Sequence, residues 1–274
     1  MKTIICPTDF SPVSINAANY AADMACVLGT NLALLHVCAL PIATADGTIP
    51  SYPFEQLISD AEKMIADLKD QLMIRTGERI KIVTEVRQGF IISQLNEYCD
   101  TINPYAVVMG TERAHGFERM IAGATTFSAM SQLSWPVITV PEGAVFSGIR
   151  KIGLACDLKD VVDTIPFMEL KNLVKEFHSE FHVLHVDTDA GSFTPEKVSG
   201  SAFLQEMMGD LHPIYHFMDG NDVEKVICEF ADKHDFDMLF VLPKKHTILS
   251  KILHHSHSKR LVLQTHIPVL SIHE

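Results

Sequence analysis

The chain has 274 residues, enough for one large α/β domain or two of ordinary size, and a net charge of −12. Its 47% hydrophobic and 20% charged residues describe a soluble globular protein with a sizeable core. The acidic balance argues against nucleic acid or an anionic membrane surface as a partner, and no run reaches the roughly 20 apolar residues of a membrane helix. The apolar stretch before Pro7 and Asp9 is too short for a signal peptide. The six cysteines are scattered without a C-x-x-C pair. Reduced, buried thiols in a cytoplasmic protein are therefore expected.

Lys2–Cys6 is a short β-type run. After Pro7-Thr8-Asp9-Phe10, Ser11 is suited to cap a helix with Pro12 at its first position, and the Ala-rich segment Ala17 to Leu28 continues it until Gly29. Asn31–Cys38 (NLALLHVC) is expected as a buried strand, followed by a Pro- and Thr-containing loop over 39–54. Leu57, Ala61, Met64, Ile65, Leu68 and Leu72 fall on one helical face. A strand is expected over Lys81 to Val86, and Gly89 opens a helix carrying Ile91, Ile92, Leu95 and Tyr98. Val107 to Met109 is the next buried strand. It is followed by a glycine-punctuated loop from Gly110 to Gly123, a helix from Thr125 to about Ser134, and a last strand, Val137 to Val140. The alternation predicts a parallel, helix-covered sheet.

The pattern then begins again after a linker at Glu142 to Gly148. Lys151 to Cys156 runs into Asp157 as the first strand runs into Asp9, and Val183-Leu184-His185-Val186 matches Leu34-Leu35-His36-Val37. Gly220 matches Gly89, Asp237 to Leu242 matches Tyr105 to Gly110, and IPVLSI matches WPVITV. Early positions are offset by 148 or 149 and later ones by 131 or 132, so the loop and second helix are shorter in the second copy. The chain is a tandem duplication, with units expected at 1–146 and 147–274.

In a parallel sheet the loop after a strand's carboxyl end faces the ligand crevice, and a helix start offers unpaired N–H groups to a phosphate. With PTDFS, LLHV, VVMGT and PVITVP together, the chain resembles a tandem universal stress protein. The resemblance implies two five-stranded parallel-sheet domains of the adenine-nucleotide alpha hydrolase type, with helices on both faces. It also implies an adenine nucleotide, ATP with Mg²⁺, as ligand, together with pairing of the two domains and a homodimer as a further assembly. The family's nucleotide motif is G-x-x-G, nine residues, then G-[S/T]. Gly110 fills its first position, Gly123 its last glycine and Thr126 a later hydroxyl position. Arg113 stands where the second glycine is expected, and Ala124 replaces the Ser or Thr. Arg113 either fills the space or holds a phosphate through its guanidinium, while Ala124 keeps its N–H and Thr125 and Thr126 supply hydroxyls. Pro7, Thr8, Asp9, Val37 and Met109 are carried over as the adenine and ribose wall. Read as plain chemistry, Asp9 is a loop or helix-capping carboxylate, and Val37 and Met109 are core.

After Val241-Leu242 the second unit reads PKKHTILSKILHHSHSK, without a glycine, so no ATP site is carried onto it and a pairing role is expected. Twelve of the 14 histidines lie beyond residue 177. His254 and His257 could share a helix face and hold zinc with Asp157 or His185, with His246 and His255 nearby; a solvated polar helix is the expected reading. His178 and His182 are expected to straddle a helix end and a strand, and His36 and His185 to be core histidines. Cys6 is read as structural rather than redox-active, and Lys244-Lys245 as solvent-facing. No Walker loop, nucleophile elbow or H-E-x-x-H is present. The function expected is a nucleotide-responsive stress protein. The alternatives are an interaction module without a nucleotide, or a slow ATPase for which only Asp9 can be assigned.

Overall fold

The computed structural model describes residues 2–39, 54–112, 124–158, 161, 165–188, 195–242 and 257–272. The first unit runs β1 (Thr3–Pro7), α1 (Pro12–Leu28), β2 (Asn31–Cys38), α2 (Phe54–Thr76), β3 (Ile82–Gln88), α3 (Ile91–Ile102), β4 (Ala106–Thr111), α4 (Ala124–Gln132) and β5 (Val137–Pro141). The second runs β6 (Lys151–Ala155), α5 (Phe167–Phe177), β7 (Glu180–Asp187), α6 (Pro195–Met208), β8 (Ile214–Asp219), α7 (Val223–Lys233), β9 (Met238–Val241), α8 (His257–Gln264) and β10 (Val269–Ser271).

The strands form one ten-stranded sheet in the order β3-β2-β1-β4-β5-β10-β9-β6-β7-β8. Among the described residues every neighbouring pair within a unit is parallel, and the single antiparallel pair is β5 with β10, where Thr139 faces Val269 and Ile138 faces Leu270. The two five-stranded sheets of the duplication thus join edge to edge. Thr139 Oγ1 donates to the Val269 carbonyl (3.2 Å) and Ser271 Oγ to the Val137 carbonyl (3.3 Å), so equivalent hydroxyls close the seam from both sides.

Parallel strands covered on both faces read as continuous apolar runs because neither face meets water. Ile4, Leu34, Val108, Ile138, Leu154, Phe240 and Leu270 lie in one core layer, and Ile5, Leu35, Val107, Val137, Leu239 and Val269 in the other. Both layers cross the seam, so the halves share their cores. Small side chains bring α1 close to the sheet: Ala17, Ala18, Ala21, Ala22 and Ala25 are all fully buried. Ser11 caps that helix by accepting from Ser14 N, and Gly29 ends it in the left-handed conformation.

Several expected boundaries shift by a residue or two. The strand expected to stop at Val86 continues to Gln88, because β3 pairs with β2 residue by residue as far as Cys38. Gly89 does not open α3; its φ of +133° turns the chain, and the helix begins at Ile91 after Phe90. The described part of α4, Ala124–Gln132, ends before the expected Ser134. The shortened second copy is as expected, with 14 residues in α6 against 23 in α2. The linker is tied down: Asn16 Nδ2 donates to the Pro141 and Ala144 carbonyls, and Phe146 packs on Tyr20 and Phe177. Among the described residues no helix is long and apolar enough to cross a membrane.

Candidate functional site

A cavity of about 670 Å³ opens at the carboxyl ends of β1, β2 and β4. β1 lies between β2 and β4, and the chain leaves it towards β2 first and returns to β4 later. This is the switch point of an open α/β sheet, where diverging loops leave a crevice.

The wall from β1 is built by a compact turn. Thr8 N donates to Leu35 O (2.8 Å), and Phe10 N donates to Thr8 Oγ1 (3.0 Å), which holds Phe10 at a φ of +64°. Ser11 N donates to Asp9 Oδ1 at 3.0 Å. Burial works against ionisation of Asp9, but hydrogen bonds from Ser11, Ser14 and nearby backbone outweigh it and hold the carboxyl below its usual range. Asp9 is therefore an anion at neutral pH, with its Oδ1 accepting from Ser11 N. Thr8 and Ser14 share a 3.0 Å hydrogen bond that locks the start of α1 onto the turn.

The opposite wall is the β4–α4 junction. Gly110 is required for close approach: a Cβ there would stand 2.5 Å from the Val13 carbonyl oxygen and 2.7 Å from Val13 Cγ1. Ala124 and Thr125, the first described residues of α4, are exposed on the cavity wall. The buried Thr126 hydroxyl donates to the Gly110 carbonyl at 3.0 Å. It therefore ties α4 to β4 rather than standing free to donate to a phosphate.

Nine of the eleven expected site residues line this one cavity: Pro7, Thr8, Asp9, Val37, Met109, Gly110, Ala124, Thr125 and Thr126. The other two, Arg113 and Gly123, lie outside the described residues. Sequence reasoning missed Ser11, Val13, Ser14, His36, Ile91 and Glu112 on the wall. Most stood next to expected positions, since Ser11 and Ser14 follow Asp9 and Glu112 follows Gly110. His36 was expected as a core residue, but it is half-buried because β2 ends where the crevice begins.

The equivalent turn of the second unit keeps the geometry and loses the opening. Leu158 takes the place of Phe10 at a φ of +58°, and Cys156 Sγ accepts from Leu158 N as Thr8 Oγ1 accepts from Phe10 N. Leu158 is 1% exposed and His185 4%. Helix α6 crosses so tightly that a Cβ on Gly200 would run into the Leu158 carbonyl.

The other singled-out residues have structural settings. Cys6 is fully buried, and burial pushes its thiol up to about 12, which leaves no thiolate for redox work. Lys244, Lys245, His246, His254 and His255 lie outside the described residues, and His257 begins α8. His185, one of the suggested third zinc ligands, donates from Nδ1 to the Cys156 carbonyl at 3.0 Å. His178 ends α5 in the left-handed conformation while His182 sits in β7, as expected.

His182 Nδ1 lies 2.9 Å from His216 Nε2. Burial lowers the basicity of His182, opposed by Glu180 and assisted by Lys151 and His234; burial, then His182 and His234, lower that of His216. The folded state thus holds fewer protons than the unfolded chain, whose histidines titrate near about 6.5. Stability from this pair is complete above that pH and is lost as pH falls towards the lowered folded values. Urea unfolding between pH 8 and 5 should show this fall, and His182→Phe should flatten it; an unchanged slope in the variant would exclude the pair as its source.

The sequence profile of the universal stress protein family matches residues 1–141 and again residues 148–273. The chain belongs to that family. Universal stress protein MJ0531 of Methanocaldococcus jannaschii is 26% identical over 141 residues, covering 51% of this chain and 81% of that one. A universal stress protein of Archaeoglobus fulgidus superposes with a TM-score of 0.76 at 20% identity, covering 99% of this chain and 98% of the other. A putative universal stress protein of Pseudomonas aeruginosa gives 0.59 at 12% identity, covering 100% and 93%. At these identities the two structures establish the shared universal stress protein fold across the duplication.

Proposed function

We propose that this tandem stress protein binds one adenine nucleotide, ATP, in the cavity of its first unit and responds to it in the cytoplasm as a regulatory switch rather than by turnover. In this reading residues 1–146 form the binding unit and residues 147–274 the pairing unit. The observation that carries it is the coincidence of three features in one crevice: the sheet's switch point, the exposed start of α4, and an apolar wall of Val37, Ile91 and Met109. A helix start suits a phosphate, and the apolar wall suits a base.

The described lining residues include two carboxylates, Asp9 and Glu112, and no lysine or arginine. A bare triphosphate would meet repulsion, so Mg²⁺ fits this donor set. Asp9, ionised and with one oxygen unengaged by Ser11, is the residue that would hold it, with Glu112 beside the same opening. Bound there, the metal would neutralise phosphate charge.

Thermal unfolding with ATP and Mg²⁺ tests the reading. At a free ligand concentration about 100 times Kd, the native state should gain about 2.7 kcal/mol, and the midpoint should rise by several degrees. Chelating the metal should remove most of that rise. No response to ATP, ADP or AMP, with a stable protein partner recovered instead, would point to an interaction module. Phosphate release abolished by Asp9→Ala would point to a slow ATPase.

A further inference from the structure

His36 is the imidazole on the cavity wall, and one of its ring nitrogens is pinned by main chain. Its Nδ1 lies 2.7 Å from the Thr8 carbonyl oxygen. A carbonyl only accepts, so the neutral ring carries its proton on Nδ1 and presents a bare lone pair at Nε2. Phe10 stacks on the ring at 4.6 Å between centroids and 27° between planes. Phe10 is itself fixed by the Thr8 hydroxyl, so the tautomer and the ring plane are set by the same turn.

The duplication supplies an internal comparison. His185 makes the same Nδ1 bond to the Cys156 carbonyl, yet it is 4% exposed and its Nε2 is buried without a hydrogen-bond partner. His36 is half-buried and lines the cavity. The same locked imidazole is therefore sealed in one unit and opened onto the crevice in the other.

We propose that His36 Nε2 is a specificity-determining acceptor that reads a hydrogen-bond donor on the ligand's nucleoside, either the exocyclic amine of the base or a ribose hydroxyl. This rests on the nucleotide reading above and names a residue that the glycine motif does not contain. An acceptor of fixed orientation favours a ligand carrying the donor and discriminates against one that lacks it, because the unmatched lone pair loses its water on binding.

The decisive variant is His36→Asn. Its amide can reach the Thr8 carbonyl from the place of Nδ1 but has no atom where Nε2 stood. His36→Gln reaches towards the Nε2 position and should recover part of the affinity. Calorimetry on the full chain with Mg²⁺ would compare ATP with purine riboside triphosphate, which lacks the 6-amine, and with 2′-deoxy and 3′-deoxy ATP. The unmodified protein should bind one of these analogues roughly tenfold more weakly than ATP, and His36→Asn should bind ATP and that analogue equally. The analogue that loses affinity identifies the donor. Imidazole ¹⁵N shifts provide a second readout, in which the unprotonated Nε2 of His36 should move on ligand addition. Binding by the unmodified protein with equal losses for all ligands in His36→Asn, or with a static Nε2 signal, would overturn this assignment alone. No binding by the unmodified protein would overturn it together with the nucleotide reading.

Discussion

Gly110→Ala is expected to destabilise the protein by about 1–3 kcal/mol and to weaken its response to nucleotide. The glycine is the penultimate residue of β4, where the first turn of α1 crosses it, and an added methyl would meet the Val13 main-chain oxygen at 2.5 Å. Real Cβ atoms do not come so near a carbonyl, and main chain yields less readily than the tip of a side chain. Either α1 must lift or β4 must bend. Thr126 also donates to the Gly110 carbonyl, so a shift of β4 would draw the start of α4 with it. The expected result is a lower urea midpoint together with a smaller ATP-dependent rise in Tm. Val13→Ala in the Gly110→Ala background removes the side-chain contact and leaves the carbonyl contact, so it should recover only a minor part. A Gly110→Ala protein as stable as the unmodified one would refute the close approach.

Leu270→Pro is expected to cost about 3 kcal/mol or more and to compromise both units at once. β10 has only three residues, yet it lies in the middle of the sheet with β5 on one side and β9 on the other. Proline would remove a ladder donor from that position and a side chain that is 2% exposed from a core layer spanning both halves. Of a total stability on the order of 5–15 kcal/mol, such a loss is a large share. Circular dichroism in urea should show the midpoint fall, and limited proteolysis should cut near the seam. Leu270→Ile keeps volume and backbone donor and should cost less than about 1.5 kcal/mol. Near-normal stability of the proline variant would mean that β10 does not join the two sheets.

The fold was legible wherever local chemistry and global architecture agree. Ser11-Pro12 marks a helix start and Gly29 its end because capping is decided by a few neighbouring atoms. The pairing of Leu34 with Val183 and of Val137 with Val269 in the repeat reports two copies of one burial pattern, and a buried strand cannot hide its apolar run. Gly89 was misread because a glycine before a helical pattern suits both a cap and a turn, and only its φ separates them. Asp9, Met109 and Gly110 were anticipated on the cavity wall because motif residues sit at strand ends. His36 was not, because alternation along β2 assigns a face but not the point at which the strand emerges from the core. The use of the Thr126 hydroxyl was also hidden: its acceptor is the carbonyl of Gly110, 16 residues earlier and brought near only by the fold.

The antiparallel join between β5 and β10 gives the molecule two opposite rims. All five strands of the first unit run one way and all five of the second run the other. The crevice beside His36 and the sealed turn beside His185 therefore face away from each other across the breadth of the sheet. A small molecule seated at one cannot reach the other, so any message between them must travel through the shared interior.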